Sequence, residues 1–374
     1  MDSCDVVIVG GGPAGSSCAW KLRNSGLDIM MLDKQKFPRH KACGGWVTPG
    51  VFQELGLDPA DYAKGRVFQP IFGFRTCCMG GPLVETRYDH PVSYGVRRYE
   101  FDQFLVERAG VWLQDGEELT SLERTGNGWV INKGLQTSLI VGAGGHFCPV
   151  AQFLGAKPSA EPAVVAQEAE IELVGEAMTE CAIEPEFPEL YFFPDMKGYG
   201  WCLRKGKYLN IGLRRSEQSQ FSGYVHSFLS FLGQRRKLPI DVSGMLQGQG
   251  YLLYGPSTRR LVGDRVLLVG DAAGLAYEHS GEGIRPAVES GLLAARTIID
   301  AKRDYRKERL EPYRLALVAR HTPVKKDRVR WLSQVLPAGL KTFLGRQMLG
   351  SIRFSREILL NRWFLHADEP PFLY

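Results

Sequence analysis

The chain lacks any run of about eighteen uncharged apolar residues, the length a membrane-spanning helix needs. Its start, Met1-Asp2-Ser3-Cys4-Asp5, has neither the basic opening nor the apolar core of a secretory signal, and a strand pattern follows at once. The expectation is a cytoplasmic protein without a spanning helix. The eight cysteines, Cys4, Cys18, Cys43, Cys77, Cys78, Cys148, Cys181 and Cys202, show neither metal-ligand spacing nor a disulfide framework, so reduced thiols and no metal site are expected. The adjacent Cys77 and Cys78 read as structural. Internal repeats and low-complexity tracts are missing, and no nucleic-acid-binding motif accompanies the net charge of +5, so no nucleic-acid partner is expected. That charge is uneven: residues 302–330 are dense in Lys and Arg and precede an apolar, aromatic-bearing stretch from Trp331 to Phe364. Three readings stay open there: a helical layer with a solvated basic face, peripheral contact with a membrane surface, and an acidic partner.

What is present is a chain of 374 residues, 44% hydrophobic, enough for two closely packed domains. Two segments some 260 residues apart share one design. The first runs Val6-Val7-Ile8-Val9 into Gly10-Gly11-Gly12-Pro13-Ala14-Gly15, and the second runs Val266-Leu267-Leu268-Val269 into Gly270-Asp271-Ala272-Ala273-Gly274, with Ser280-Gly281-Glu282-Gly283-Ile284 beyond. An apolar strand leading through glycines to a helix brings backbone N–H groups close to phosphate. Two such segments suggest one long dinucleotide. In the first, Ala14 to Asn24 has helical spacing, and Ile29-Met30-Met31-Leu32 forms a second strand ending on Asp33, where a carboxylate can accept bonds from ribose hydroxyls. Gly10, Gly12 and Gly15 have the spacing for the tight turn, the approach to pyrophosphate and close helix packing.

Short β-rich segments with turn residues fill 66–96 and 160–256 and read as antiparallel strands of a second layer. Between them a helix begins at Arg98, and Leu139-Ile140-Val141-Gly142-Ala143-Gly144-Gly145 is another buried strand ending in glycines. After Gly291 the chain turns helical, with Pro312, Pro323 and Pro337 dividing it. The expected fold is α/β: a Rossmann-like three-layer dinucleotide domain from 1–65, 97–159 and 257–300, an inserted mixed or antiparallel β-sheet substrate domain from 66–96 and 160–256, and a C-terminal helical region over 301–374.

Gly10 to Gly15 with Asp33, Arg98 with Asp102, Gly142 to Gly145 and Gly270-Asp271 together resemble the aromatic-hydroxylase superfamily of FAD proteins. Arg39-His40-Lys41-Ala42-Cys43-Gly44-Gly45 and Ser280 to Ile284 are similar, more narrowly, to the geranylgeranyl reductase family. Tyr199-Gly200-Trp201, followed by Asn210-Ile211-Gly212-Leu213, partly matches that family's substrate motif, but Leu203-Arg204 replaces Phe-Pro and Arg214 replaces a second glycine. Gly142-Ala143-Gly144-Gly145 also departs from the hydroxylases' Gly-Ala-Asp-Gly, a motif tied to NADPH-dependent flavin reduction. The resemblance implies FAD held by Gly10, Gly12, Pro13, Ala14, Gly15, Asp33, Lys34, Arg39, Cys43, Gly44, Gly45, Arg98, Gly142, Ala143, Gly144, Gly270, Asp271, Gly281, Glu282, Gly283 and Ile284. It leaves the electron donor open between NAD(P)H and a reduced electron carrier.

Four residues are candidates for turnover. Cys43 reads either as a small residue in a tight turn or as a thiol beside the flavin. Tyr199 and Trp201 are core residues of a sheet or walls of a substrate pocket. His279 is a cap or a proton donor. The implied activity is reduction of carbon–carbon double bonds in an isoprenoid or other hydrophobic, lipid-like substrate by hydride transfer from reduced flavin. The alternative is a flavin-dependent monooxygenase or halogenase, although the Tyr199 to Leu203 segment does not supply the halogenases' Trp-x-Trp-x-Ile-Pro stretch.

Overall fold

The computed structural model describes all residues except 1–2, 158–159, 218, 236, 239–240, 243, 256–258, 322–337 and 373–374. Strand β1 (Ser3–Val9) carries Val6, Val7 and Ile8 wholly buried, because it lies inside a parallel sheet covered on both faces. Its neighbours are β2 (Ile29–Asp33) on one side and β3 (Leu135–Gly142) on the other, both parallel to it. Strand β4 (Val266–Leu268) pairs beyond β3, and Trp112–Asp115 pairs beyond β2, again in parallel. The chain leaves β1 through helix α1 (Pro13–Leu22) to β2 and returns on the opposite side as β3. A crevice therefore opens beyond the carboxyl ends of β1 and β3, where open α/β sheets bind ligands.

Helix α2 (Arg98–Ala109) packs beside α1, and helix α3 (Ile284–Asp300) crosses it. The α1–α3 crossing is close because Gly291 has no side chain: a Cβ there would sit 2.2 Å from the Ala14 carbonyl oxygen.

The second sheet has seven strands in the order Gln247–Tyr251, Val164–Glu172, Tyr208–Arg215, Gly198–Lys205, Glu189–Phe192, Gly73–Cys78 and Val84–Arg87. Every pairing is antiparallel except Glu189–Phe192 with Gly73–Cys78, so the sheet is mixed. One face buries Phe228 and Leu232 of the helix Phe221–Gln234. The other contributes Leu190, Tyr199 and Leu203 to a cluster completed by Leu359, Leu360 and Phe364 from the C-terminal region.

Two local expectations differ from what is observed. Pro312 does not divide the C-terminal helices; it lies inside Lys307–His321, where Leu310, Tyr313 and Leu317 are buried at helical spacing and outweigh the lost backbone bond. Pro323 and Pro337 lie outside the described residues. The second glycine segment does not pass directly into a helix: a 3-10 turn over Gly270–Ala272 is followed by a loop to Ile284, and the buried Ala272, Ala273, Leu275 and Ala276 pack that loop against the core.

Candidate active site

The glycine turn after β1 is built by backbone contact. Gly10 has φ +115°, and a Cβ on it would lie 2.4 Å from the Ala143 carbonyl oxygen; a Cβ on Gly15 would lie 1.9 Å from the Gly10 carbonyl oxygen. Gly12 begins α1 and Gly283 begins α3, and neither helix start has a side-chain cap from that residue. Both starts border one cleft of about 580 Å³, lined also by Pro13, Ala14, Asp33, Lys34, Arg39, Cys43, Arg98, Ala143, Gly144, Asp271, Gly281 and Ile284. Two positive helix ends on one cleft, with a carboxylate at one extremity, suit a molecule carrying pyrophosphate, a ribose and an anionic ring.

Asp33 is held by its own turn: its Oδ2 accepts from the Gly11 N–H at 2.8 Å and its Oδ1 from the Gln35 N–H at 2.9 Å. Arg39 lies 3.7 Å from Asp33 and 3.2 Å from Asp102, which is wholly buried. Arg98 donates twice to Asp102, at 2.7 and 2.8 Å. Charges thus alternate Asp33, Arg39, Asp102, Arg98 along one wall, and Arg39 Nε faces no partner among the described residues.

Several expected residues serve the cleft from behind. Gly142 packs under Leu268 and Val150, Gly270 packs on Ala14, and neither lines the cleft. Gly44, Gly45 and Glu282 line a second cavity, adjoining the first through Cys43, Tyr251, Gly281, Gly283 and Ile284. Its other walls are mainly apolar and aromatic, Trp46, Leu190, Tyr199, Trp201, Leu203 and Phe364, with Thr48 and Arg214 among the polar ones. His279 lines neither cavity; its ring stacks on Trp363 at 4.5 Å, and its carbonyl accepts from Arg214 at 2.8 Å.

The Lys41 to Gly45 loop is clamped by the second sheet. Lys205 Nζ, fully buried, donates to the Gly44 carbonyl at 3.1 Å, to the Val96 carbonyl at 3.0 Å and to Glu170 at 2.5 Å. Asn210 accepts from the Trp201 indole at 2.7 Å and donates to the Cys43 carbonyl at 3.3 Å and to Glu168. Burial in this loop also lowers the Lys41 pKa, against the attraction of Asp271. Tyr199 donates to the Ser280 carbonyl at 2.5 Å, tying the aromatic pocket to the loop before α3.

Lys205, Glu168 and Tyr251 are marked by no sequence motif, and Asn210 and Arg214 fall in the partial substrate motif without a role assigned to either. One signal was available: Glu168, Glu170 and Glu172 alternate along one strand and so share a face. Glu172 meets Lys207 at the exposed end, Glu170 meets Lys205 and Arg97, and Glu168 lies deepest, against Asn210.

Burial pushes Glu168 up from 4.5 to about 7, against bonds from Asn210 and the Cys43 backbone. A glutamate raised on folding favours the folded state fully below its unfolded pKa. That contribution is lost as pH rises through the window up to about 7, with a span of roughly 3 kcal/mol at 1.36 kcal/mol per unit. Glu168→Gln is therefore expected to flatten the fall in stability between pH 4.5 and about pH 7 in urea unfolding. An unchanged pH slope would remove Glu168 as its source.

Comparison with known proteins agrees with this geometry. Residues 5–72 match the family model described as FAD dependent oxidoreductase. Digeranylgeranylglycerophospholipid reductase of Methanococcus vannielii is 27% identical over 86% of this chain and 83% of its own. Menaquinone reductase of Mycobacterium tuberculosis is 29% identical over 79% and 76%. Among solved structures, a geranylgeranyl bacteriochlorophyll reductase-like protein of Thermoplasma acidophilum superimposes with a TM-score of 0.76 at 20% identity, covering 100% of this chain and 98% of that one. A flavin-dependent brominase shares the fold at a TM-score of 0.66 and 20% identity, over 98% and 99%.

Fold, cleft and relatives together define an FAD-dependent oxidoreductase. Within that class the chain is similar to geranylgeranyl reductases, and FAD is its cofactor.

Proposed function

We propose that this protein reduces carbon–carbon double bonds of an isoprenoid lipid. The observation that carries the reading is the aromatic pocket of Trp46, Tyr199, Trp201 and Phe364 opening onto the cofactor cleft past Cys43 and the start of α3. An apolar wall beside a redox cofactor selects a hydrocarbon substrate and keeps water away from it. Reduced FAD, when bound, supplies the hydride to one carbon of the double bond. The chain does the rest. Gly10, Gly12, Pro13, Ala14 and Gly15 would hold the pyrophosphate, Asp33 and Lys34 the adenosine end, Arg39 and Arg98 the phosphates and ribose, and Asp271 the ribityl region. The start of α3 would stabilise the anionic reduced ring, and the clamped Cys43 to Gly45 loop would position the alkene, because alignment removes much of the barrier.

The test is anaerobic: chemically reduced protein given a geranylgeranyl ether lipid should yield product heavier by two hydrogens per reduced bond. Product that forms only with oxygen consumption would replace this reading with a monooxygenase or halogenase.

The C-terminal region supports access to a lipid surface. Among the described residues no helix is long and apolar enough to cross a membrane. The helix Ala338–Leu349 nevertheless exposes Leu340, Phe343, Leu344 and Met348, followed by exposed Ile352, with the cations Arg346, Arg353 and Arg356 exposed nearby. Leu349 and Phe354 join the same cluster as Tyr199 and Phe364, so this surface continues into the pocket wall. Apolar residues among cations suit an anionic bilayer surface. Phe343→Glu with Leu344→Glu should lower binding to anionic phospholipid vesicles about tenfold or more, since each lost side chain forfeits on the order of 1.5 kcal/mol. Equal co-sedimentation of both forms would exclude this helix as the contact.

A further inference from the structure

Alkene reduction needs a proton as well as a hydride, and the pocket walls differ in their ability to provide one. Among the polar atoms of the described residues lining the aromatic pocket, four are buried with no hydrogen-bond partner: Trp46 Nε1, Thr48 Oγ1, Arg214 Nε and Glu282 Oε2. An indole N–H, an aliphatic hydroxyl and a guanidinium are far too weak as acids, which leaves the carboxyl. The remaining candidates are weaker acids or misplaced. Burial pushes the Tyr199 and Tyr251 hydroxyls up, and Tyr199 already donates to the Ser280 carbonyl; a thiol such as that of Cys43 is a weaker acid than a carboxyl, and His279 lines neither cavity.

Glu282 is also held firmly. Its N–H donates to Ser280 Oγ at 3.2 Å, its carbonyl accepts from the Tyr277 N–H at 2.9 Å, and its Oε1 accepts from the Arg285 N–H at 3.1 Å. That leaves Oε2 as the atom free for the pocket.

We propose that Glu282 is the acid that protonates the substrate. As the hydride reaches one alkene carbon and the π bond breaks, the other carbon takes the Glu282 proton; two C–H bonds form and a carboxylate remains, which regains its proton from solvent. Burial raises the Glu282 pKa and favours the protonated form, opposed by His366 and Arg285 and aided by Glu289. His366 has the strongest field of these charges on Glu282. Its Nε2 is buried without a partner among the described residues, while Nδ1 lies 3.1 Å from the partly exposed Glu369.

The inference rests on the alkene-reductase reading, and the test separates the two. The infrared difference between the FAD-loaded wild type and Glu282→Gln, without substrate, should show a protonated-carboxyl band that shifts in D2O, the contributions of other buried carboxyls such as Glu168 and Glu54 cancelling. Anaerobic single turnover of the reduced protein with a geranylgeranyl ether lipid should slow about 100-fold or more in Glu282→Gln, the usual size of a general-acid contribution, with partial recovery in Glu282→Asp. FAD content, read from the visible spectrum, should match the wild type in both. The absence of that difference band, or a wild-type rate in Glu282→Gln, overturns the proposal. If the band behaves as expected but wild-type protein reduces no lipid, the alkene reading fails while the protonated carboxyl stands.

Discussion

Asp102→Ala is expected to cost about 3–5 kcal/mol of stability, the range for removing one partner of a buried ion pair, and to leave the purified protein colourless. Asp102 has no exposed surface and accepts two bonds from Arg98, at 2.7 and 2.8 Å, while also facing Arg39 at 3.2 Å. Removing its carboxylate leaves two guanidinium groups on one wall of the cleft with Asp33 alone to balance them, 3.7 Å from Arg39. Both arginines would then turn toward solvent or toward Asp33, spoiling the end of the cleft proposed for adenosine. Urea unfolding of the FAD-free protein and the flavin absorbance of the isolated protein measure the two effects separately. A variant that is yellow and unfolds at the wild-type urea concentration would show that the alternating charges do not organise this wall. Asp102→Asn, which keeps the shape and one acceptor, should fall between.

Gly291→Val is expected to destabilise the protein by about 3 kcal/mol, the upper end for overpacking, and to abolish FAD binding. Position 291 lies where α3 crosses α1: a Cβ there would meet the Ala14 carbonyl oxygen at 2.2 Å, the Ala14 carbonyl carbon at 3.1 Å and the Cys18 nitrogen at 3.2 Å. These are backbone atoms, so no rotamer change relieves the clash and the helices must separate. Their N-termini are the two positive ends that border the cofactor cleft. A displacement at the crossing therefore alters the spacing of both ends from one bound molecule. Thermal unfolding and reconstitution with added FAD test this; full reconstitution would mean that the spacing tolerates change.

The two predictions differ in what could be read from the chain. Arg98 and Asp102 are four residues apart, so their meeting on one helix face follows from helix geometry alone. That Arg39 joins them follows from the fold. Likewise Gly10, Gly12 and Gly15 carry their spacing within six residues, whereas Gly291 looked like any glycine near a helix and gained its meaning from Ala14, on another helix. The first βαβ unit was legible almost to the residue because its strand runs, turn and terminal acid are all local. Pro312 misled for the converse reason: a local helix breaker was overruled by burial of Leu310, Tyr313 and Leu317 against the sheet.

The substrate side shows the same division more sharply. Tyr199 and Trp201 were recognisable as motif residues, but nothing local distinguished a pocket wall from a sheet core. The clamp on the Cys43 loop comes from Lys205 and Asn210, separated from their partners by 161 and 167 residues. Glu282 stood in a recognisable Ser-Gly-Glu-Gly-Ile run. Its unpartnered Oε2 becomes apparent only with Trp46, Thr48 and Phe364 in place around it.

By itself, then, the order of residues pointed to FAD and to the glycine turn, strand-terminal acid and helix start proposed to hold it, because these act over a few adjacent residues. The tertiary structure decided which charges share a wall, which loop is clamped and which carboxyl lines the aromatic pocket. Those properties depend on burial and on partners far away in the chain, and a carboxyl becomes an acid of use near neutral pH only when the surrounding fold removes its water.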